Sequence, residues 1–164
     1  MKTAYLSLGS NLGDRAENLN TALQLLEQAR VHLKRRSSLY ETDPQDLRHQ
    51  PWFYNLVIEV ESDLFPLQLL NATQRIEKQM GRQRVVPKGP RIIDIDLLLW
   101  GNFVIRTPRL QVPHPRMLQR RFVLEPLLEL IPTLRHPVTR QPLGAALAEL
   151  RGQAVKRVSI DAAG

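Results

Sequence analysis

Two aspartates, Asp94 and Asp96, lie in an apolar stretch that reads GPRIIDIDLLLW and covers residues 89–100. Aliphatic residues at most positions, with Gly and Pro at the start, predict a buried β-strand. In a strand, residues i and i+2 share a face, so the two carboxylates point one way while Ile93 and Ile95 point the other. Aspartate is disfavoured in strands, and a buried carboxylate without a partner costs several kcal/mol. The pair therefore requires a positively charged partner.

Mg²⁺ is one such partner, because it prefers oxygen ligands and usually takes one or two carboxylates together with substrate phosphates. Ion pairs with neighbouring arginines are the alternative, since an isolated DxD pattern is common by chance. Two irregular basic stretches flank the strand, GRQRVVPKGPR before it and RLQVPHPRMLQRRF after it. Their basic and histidine side chains include Arg82, Arg84, Lys88, Arg91, Arg109, His114, Arg116 and Arg120. Loops of this composition can close over a polyphosphate.

The charge of the chain is concentrated in the same region. The net charge is +7 with an isoelectric point near 10.4, and the basic residues are 18 Arg and 5 Lys. Residues 75–121 contain 11 of these basic residues and only three acidic ones, whereas the rest of the chain is nearly neutral. Such a cluster is either a solvated surface or a site for a polyanion, and both nucleic acid and nucleotide phosphates qualify.

Three further groups have types and spacing that suit a binding pocket. Phe53 and Asn55 share a strand face and can stack on and hydrogen-bond to a heterocycle, although core packing and a strand end explain them equally well. Gln74 and Glu77, at i and i+3 of a helix, point either into a cleft or into solvent. His114, between two prolines, is a loop histidine, a phosphate donor or a proton carrier.

The elements that position these residues follow from periodicity. Strands are predicted over 3–9 and 53–61 from alternation, over 31–42 from a weaker pattern, and over 89–100 from the aliphatic run described above. Apolar spacing predicts helices from Asp14 to about residue 29 and from Pro66 to Gly81. GSNLG lacks the spacing of phosphate-binding loops and is expected to be a tight turn. The order βαββαβ predicts an α+β, ferredoxin-like core, an antiparallel sheet with both helices packed on one face. A C-terminal extension with brief helices and a short strand, VKRVSI, completes a single domain over residues 1–164.

Composition also limits location. The chain has no cysteine, which excludes disulfides and thiolate metal sites, and its first residues, MKTAYLSLGSNLGD, match neither a signal peptide nor a membrane span. We expect a cytoplasmic protein without a membrane partner.

Several stretches in continuous order resemble the 6-hydroxymethyl-7,8-dihydropterin pyrophosphokinases of folate biosynthesis. They are AYLSLGSNLGD, SSLYET, QPWFYNLV, LLNATQRIEKQMGRQR, GPRIIDIDLLLWGN and LQVPHPRMLQRRFVLEPLLEL, which together span residues 4–130. The resemblance implies transfer of pyrophosphate from ATP to the pterin hydroxymethyl group with release of AMP. It also implies that ATP and the pterin are the partners. We further expect a monomer that binds no nucleic acid.

The resemblance further implies residue roles. Asp94 and Asp96 match ligands of two Mg²⁺ ions, and Arg82 and Arg91 match catalytic arginines. The positions matching the nucleotide site are Gln74, Arg84, Leu97, Arg109, Gln111, His114 and Arg120. Those matching the pterin site are Thr42, Pro44, Phe53, Asn55 and Phe122, with the ring between the two phenylalanines. Glu77 matches a motif position without an assigned role.

The chain departs from the family pattern in two loops. Lys88 replaces a tryptophan that many relatives have, in a loop about one residue shorter, and Asp43 and Gln45 replace apolar residues on the pterin side. A non-enzymatic alternative is a basic ferredoxin-like RNA-binding domain, which would bind RNA on its exposed sheet. The aromatic signature of such domains is absent, and aromatic residues make up 5% of the chain.

Overall fold

The computed structural model describes residues 1–45, 49–81 and 89–158. Its main elements are β1 (Lys2–Ser10), α1 (Arg15–Gln28), β2 (Val31–Arg36), β3 (Tyr40–Thr42), β4 (Phe53–Ser62), α2 (Pro66–Gln79) and β5 (Asp94–Trp100). The remaining ones are β6 (Ile105–Arg106), β7 (Gln111–Val112), a 3₁₀ turn (Met117–Gln119), α3 (Arg121–Leu130), α4 (Leu143–Ala148) and β8 (Val155–Arg157). Among the described residues, no helix is long and apolar enough to cross a bilayer.

The main sheet is antiparallel, with strand order β5-β1-β4-β3-β8 and with β2 also paired to β4. β1 is central, because its whole length pairs with β4, from Lys2↔Ser62 to Ser10↔Tyr54, while its other edge pairs with β5. The fourth predicted strand thus lies beside the first, and the first beside the third. This confirms the predicted ferredoxin-like α+β fold.

Helices cover both faces of this sheet. On the first face, α1 and α2 pack with one core cluster that includes Leu6, Ile58 and Leu97. On the second face, α3 and α4 pack with another cluster that includes Val57 and Leu98. Alternation along β4 sends Leu56 and Ile58 to the first core and Val57 to the second. The C-terminal extension therefore covers the sheet face that the βαββαβ core by itself leaves open.

The helix boundaries follow the predicted signals. The side chain of Asp14 accepts a hydrogen bond from the Glu17 amide at 3.1 Å, which satisfies a free donor in the first turn of α1. Pro66 is the first residue of α2, and Gly81 follows the helix with φ +88°. Gly13, in the predicted tight turn, has φ +75°, which disfavours other residues there.

Two predicted strands are shorter in the structure. The stretch 31–42 forms two strands, because Ser37 makes a separate contact with β4: its amide donates to the Val57 carbonyl and its hydroxyl accepts from the Val57 amide, each at 2.9 Å. The strand expected from residue 89 begins only at Asp94. Before that, the Arg91 backbone bonds to Asn11 instead of to a strand neighbour, so residues 89–93 leave the sheet.

Candidate active site

A cavity of about 350 Å³ opens on the second face of the sheet, beside the end of β1 and the beginnings of β4 and β5. The first residues of α3 and the loop after β3 form its sides. Polar and charged side chains form most of the lining, and Phe53 and Phe122 line the same space. Carboxylates, arginines and aromatic rings predicted from separate motifs therefore meet in one cleft.

Asp94 and Asp96 point to this face, opposite Gly9 and Ser7 of β1, as their spacing predicts. The Arg91 Nε lies 2.5 Å from Asp94 Oδ2, and the Arg120 Nη1 lies 3.7 Å from Asp96 Oδ2. Both carboxylates remain partly open, with 23% of the Asp94 side chain and 41% of the Asp96 side chain exposed. Two accessible carboxylates at a cleft fit Mg²⁺, which completes its oxygen shell with phosphates and water.

Glu77 contributes to the position of the aspartates. The residue is 4% exposed, and its Oε2 accepts a hydrogen bond from the Ile95 amide at 2.9 Å. Ile95 lies between the two aspartates on β5, which is an edge strand of the sheet, and the hydrogen bond of its amide to Glu77 is made on the edge that does not pair with β1. Glu77 therefore fixes the backbone from which both carboxylates project, an explanation that sequence reasoning did not supply.

The aromatic side of the cleft centres on Asn55. Its Nδ2 donates to the Thr42 Oγ1 at 2.5 Å, and both residues are buried. A Cβ at Gly9 would collide with the Asn55 Oδ1, so β1 needs glycine opposite this amide. Phe53 lies next to Thr42 across β3 and β4, and Phe122 comes from the first turn of α3. Two rings and a fixed amide thus surround a space suited to a flat heterocycle.

Arg91 and Arg120 also contact these rings. The Arg91 guanidinium lies 4.8 Å from the centroid of Phe53, and the Arg120 guanidinium lies 5.4 Å from that of Phe122. These distances are typical of cation–π contacts. Arg91 and Arg120 therefore each make an ion pair with one aspartate and a cation–π contact with one phenylalanine.

His114 lines the cleft. Burial lowers the pKa of His114 to about 4, and the positive charges of Arg120 and Arg116 contribute in the same direction. The Arg116 amide lies 3.1 Å from the His114 Nδ1 and donates to it, so the proton of the neutral ring is on Nε2. An Nε2–H donor suits a phosphate oxygen.

The remaining predicted residues divide into three groups. Gln74 lines the cavity beside Glu77. Pro44, Leu97, Arg109 and Gln111 are not among the lining residues: the Leu97 side chain lies in the first core, and Arg109 donates to Asn71 at 2.7 Å. Arg82, Arg84 and Lys88 lie outside the described residues.

Asn11 is a buried residue that sequence reasoning missed, and it bonds to two residues of the cleft lining, Gln50 and Arg91. Its Nδ2 donates to the Gln50 Oε1 at 2.8 Å and to the Pro51 carbonyl at 2.9 Å. Its Oδ1 accepts from the Arg91 amide at 2.7 Å. Asn11 thus joins the loop before β4 to the loop before β5. The GSNLG motif contains this residue, but its partners are 39 to 80 positions away, so no local pattern reveals the contact.

Comparison with known proteins gives consistent results. A family model described as 7,8-dihydro-6-hydroxymethylpterin-pyrophosphokinase (HPPK) matches residues 5–132. The chain is 48% identical over 128 residues to a 2-amino-4-hydroxy-6-hydroxymethyldihydropteridine pyrophosphokinase of Bacillus subtilis, covering 77% of each chain. It is 41% identical over 143 residues to the protein of that name from Aquifex aeolicus, covering 87% of this chain and 89% of the relative.

Longer relatives contain a similar segment. The Folic acid synthesis protein fol1 of Schizosaccharomyces pombe is 44% identical over 159 residues, covering 96% of this chain and 22% of that protein. The chain thus spans about a fifth of the length of such relatives. A crystal structure of HPPK-DHPS in complex with substrates has a TM-score of 0.72 at 15% identity, covering 90% of this chain and 43% of that one. Plasmodium falciparum HPPK-DHPS with pteroate has a TM-score of 0.74 at 19% identity, covering 90% and 44%. At 15% and 19% identity, the similarity to these two structures supports the fold alone.

Proposed function

Since the chain belongs to the 7,8-dihydro-6-hydroxymethylpterin-pyrophosphokinase family, we propose that it transfers pyrophosphate from ATP to 6-hydroxymethyl-7,8-dihydropterin in folate biosynthesis. In this reaction the hydroxymethyl oxygen attacks the β-phosphorus of ATP. The bond from that phosphorus to the α–β bridging oxygen breaks, AMP leaves, and the hydroxyl proton is released. The observation that carries the proposal is the presence of the aspartate pair and the two phenylalanines in one cavity.

The phosphate side of the cleft is assigned to Asp94, Asp96, Arg91 and Arg120. The two aspartates would bind Mg²⁺, expected as two ions together with ATP, and bound Mg²⁺ supplies neutralisation of the phosphate charge. Arg91 and Arg120 contact the aspartates, so both arginines lie beside the place where phosphates would bind. Phosphoryl transfer depends mainly on alignment and charge stabilisation, which these side chains provide.

The pterin side is assigned to Phe53, Asn55, Thr42 and Phe122. The two phenyl rings would stack on the pterin, and the fixed Asn55 amide would recognise its polar edge. Thr42 keeps that amide in position through its hydroxyl. Pro44 is also predicted to contact the pterin through its loop.

The nucleotide side is assigned to Gln74 and His114, which line the cavity, together with residues assigned by resemblance alone. His114 would donate through Nε2 as a neutral group. Contacts with the nucleotide also remain predictions for Arg84, Leu97, Arg109 and Gln111. The same is true of Arg120, which we also assign to the phosphate side. A catalytic role remains a prediction for Arg82, as it does for Arg91.

The RNA-binding alternative has less support. A ferredoxin-like domain that binds RNA on its sheet needs one sheet face open to solvent. In the described part of this chain, α3 and α4 pack with Val57, Leu98 and Leu99 on the face opposite α1 and α2. RNA would therefore have to bind somewhere other than the sheet.

The proposal is tested by incubating the protein with ATP, Mg²⁺ and the hydroxymethyl-dihydropterin and separating the nucleotides. We expect AMP to appear only when pterin and Mg²⁺ are both present, because the attack is on the β-phosphorus. ADP as the main nucleotide product would contradict the proposal. Salt-sensitive binding of RNA without turnover would favour the nucleic-acid alternative.

A further inference from the structure

The segment Gln153–Arg157 lies beyond the stretch matched by the family model, which ends at residue 132. It nevertheless contacts two separate walls of the cleft. One wall is the end of β3 with the loop that follows it, and the other is the beginning of α3. These walls supply Thr42 and Phe122, both of which we assign to the pterin side of the cleft.

On the first wall, β8 extends the sheet along β3, with Val155 opposite Thr42. The pairing continues at Asp43, whose amide donates to the Ala154 carbonyl at 3.2 Å. In return, the Ala154 amide donates to the Asp43 Oδ1 at 3.0 Å. The Gln45 Nε2 donates to the same oxygen at 2.8 Å. Asp43, which departs from the family pattern, is thereby tied to the C-terminal segment.

On the second wall, Gln153 occupies the N-terminus of α3. The first amides of a helix have no partner within the helix, and the residue before α3, Arg120, provides no side-chain cap. The Gln153 Oε1 accepts a hydrogen bond from the Arg121 amide at 2.8 Å, and its Nε2 donates to the Gln119 carbonyl at 3.0 Å. The Arg121 Nη1 also donates to the Gln153 carbonyl at 3.0 Å. Gln153 therefore caps the helix from a segment about 30 residues away in sequence.

These contacts surround two residues of the cleft. Arg120 and Phe122 are the immediate neighbours of Arg121, so the hydrogen bonds of Gln153 fix the backbone that carries both side chains. The adjacent residue, Ala154, fixes Asp43 on the opposite wall. Two consecutive residues thus connect the walls.

We propose that Gln153 is a positioning residue that sets the width of the pterin site by joining the N-terminus of α3 to the loop after β3. This inference rests on the proposed function. A flat ring between Phe53 and Phe122 needs a gap of constant width, and the ring of Phe122 moves with the first turn of α3. Without the Gln153 cap, the first turn of α3 gains conformational freedom. Binding of the pterin must then order this turn, and the entropy lost in doing so weakens binding.

The test compares Gln153→Ala with Gln141→Ala, a substitution of the same residue type in the same extension, away from the cleft. We expect Gln153→Ala to raise the KM for the pterin by about three- to tenfold, as for the loss of one or two hydrogen bonds, and to change the KM for ATP less. Gln153→Glu keeps the acceptor for the Arg121 amide but loses the donor to Gln119, so its KM for the pterin should be intermediate. Gln141→Ala should match the wild type.

Hydrogen exchange of the ligand-free proteins supplies a readout that does not depend on turnover. In Gln153→Ala we expect the amides at the beginning of α3 to exchange roughly tenfold faster, with β1 and β4 unchanged. Faster exchange throughout the chain would show a general structural role and overturn the inference. So would an unchanged pterin KM in a folded variant. A wild-type protein that forms no AMP would instead reject the proposed function, a result that the variants do not affect.

Discussion

At the scale of single residues, the structure shows how two carboxylates lie at the beginning of an apolar strand. Arg91 contacts Asp94 and the ring of Phe53, and Arg120 contacts Asp96 and the ring of Phe122. The ion pairs that the sequence left as an alternative to metal binding are therefore present in the structure. Both interpretations are compatible, because phosphates can take over the arginines while a cation takes over the carboxylates.

The two aspartates should differ in their effect on stability although both matter for turnover. We expect Asp94→Ala and Asp96→Ala each to lower AMP formation by about a hundredfold or more, because charge stabilisation is lost. Asp94→Ala should also lower the free energy of unfolding by about 1–3 kcal/mol, because Arg91 loses its 2.5 Å contact and only 12% of its side chain is exposed. Asp96→Ala should cost less than about 1 kcal/mol, since its ion pair is longer and more exposed.

Turnover assays and urea unfolding measure both effects. Asp63→Ala is a suitable control, because Asp63 pairs with Arg30 on the surface, where half or more of each side chain is exposed. It should leave turnover unchanged. An Asp94→Ala protein that is destabilised yet fully active would show that the pair is structural.

The environment of His114 predicts a pH dependence of stability. Its pKa is lowered to about 4, whereas an unfolded histidine titrates near 6.5. Between these values the unfolded chain binds the proton and the folded chain does not, so the free energy of unfolding decreases as the pH falls from 6.5 to 4. The contribution is at most about 3–4 kcal/mol, because one pKa unit corresponds to about 1.36 kcal/mol.

Urea unfolding of the ligand-free protein across this range, with and without His114→Gln, measures the contribution. The variant should show a flatter pH dependence, whereas a substitution of the exposed His49 should not. NMR titration of the imidazole gives the pKa directly. A midpoint near 6.5 for His114 would contradict the prediction.

At the scale of elements, the turn after β1 connects the two loops that border the cleft. Asn11 bonds to Gln50 and Pro51 on one side and to Arg91 on the other. The sequence assigned this motif to a tight turn, which the positive φ of Gly13 supports. The turn has a second role, because its buried asparagine is hydrogen-bonded to both loops and holds them in a fixed relative position.

Replacing Asn11 should loosen both loops together. Asn11→Ala leaves the Arg91 amide without this acceptor, and we expect faster hydrogen exchange in residues 49–53 and 89–92 and a lower kcat. Asn18→Ala is the matched control, since Asn18 bonds to Ser10 and Leu12 of the same region but to none of the described residues of either loop. Unchanged exchange in both loops of Asn11→Ala would show that they are positioned independently.

At the scale of the whole molecule, one sheet separates two cores. β4 contributes Ile58 to the first and Val57 to the second, so neither core forms without the same strand. Leu143 of α4 is fully buried in the second core although it lies beyond the family match. A single domain over residues 1–164, a monomeric state and a cytoplasmic location remain predictions.

Shared strands predict a single unfolding transition. Leu143→Ala should lower the free energy of unfolding by about 2–5 kcal/mol and should shift the far-UV circular dichroism and tryptophan fluorescence transitions equally. Leu67→Ala is the control, because Leu67 is 44% exposed in α2, and it should have little effect. Two separate transitions would show that the C-terminal extension folds independently.

The sequence by itself determined the order of the elements, the helix caps and the common face of Asp94 and Asp96. These features depend on residues that are close in sequence. The spacing of apolar side chains, with a period of 2 in strands and 3.6 in helices, therefore indicates them directly. The predicted cleft also came largely from sequence, through the resemblance of its motifs to a family.

Only the tertiary structure decided which distant groups meet. Four contacts join residues that are 18 or more positions apart in sequence. They are the contact of Ser37 with Val57, the contact of Asn11 with both loops, the hydrogen bond that Glu77 accepts from Ile95, and the cap that Gln153 provides. The packing of α3 and α4 on the second face of the sheet is equally nonlocal. No short-range preference selects one such partner among many, because the free energy that selects it comes from burying the whole core at once.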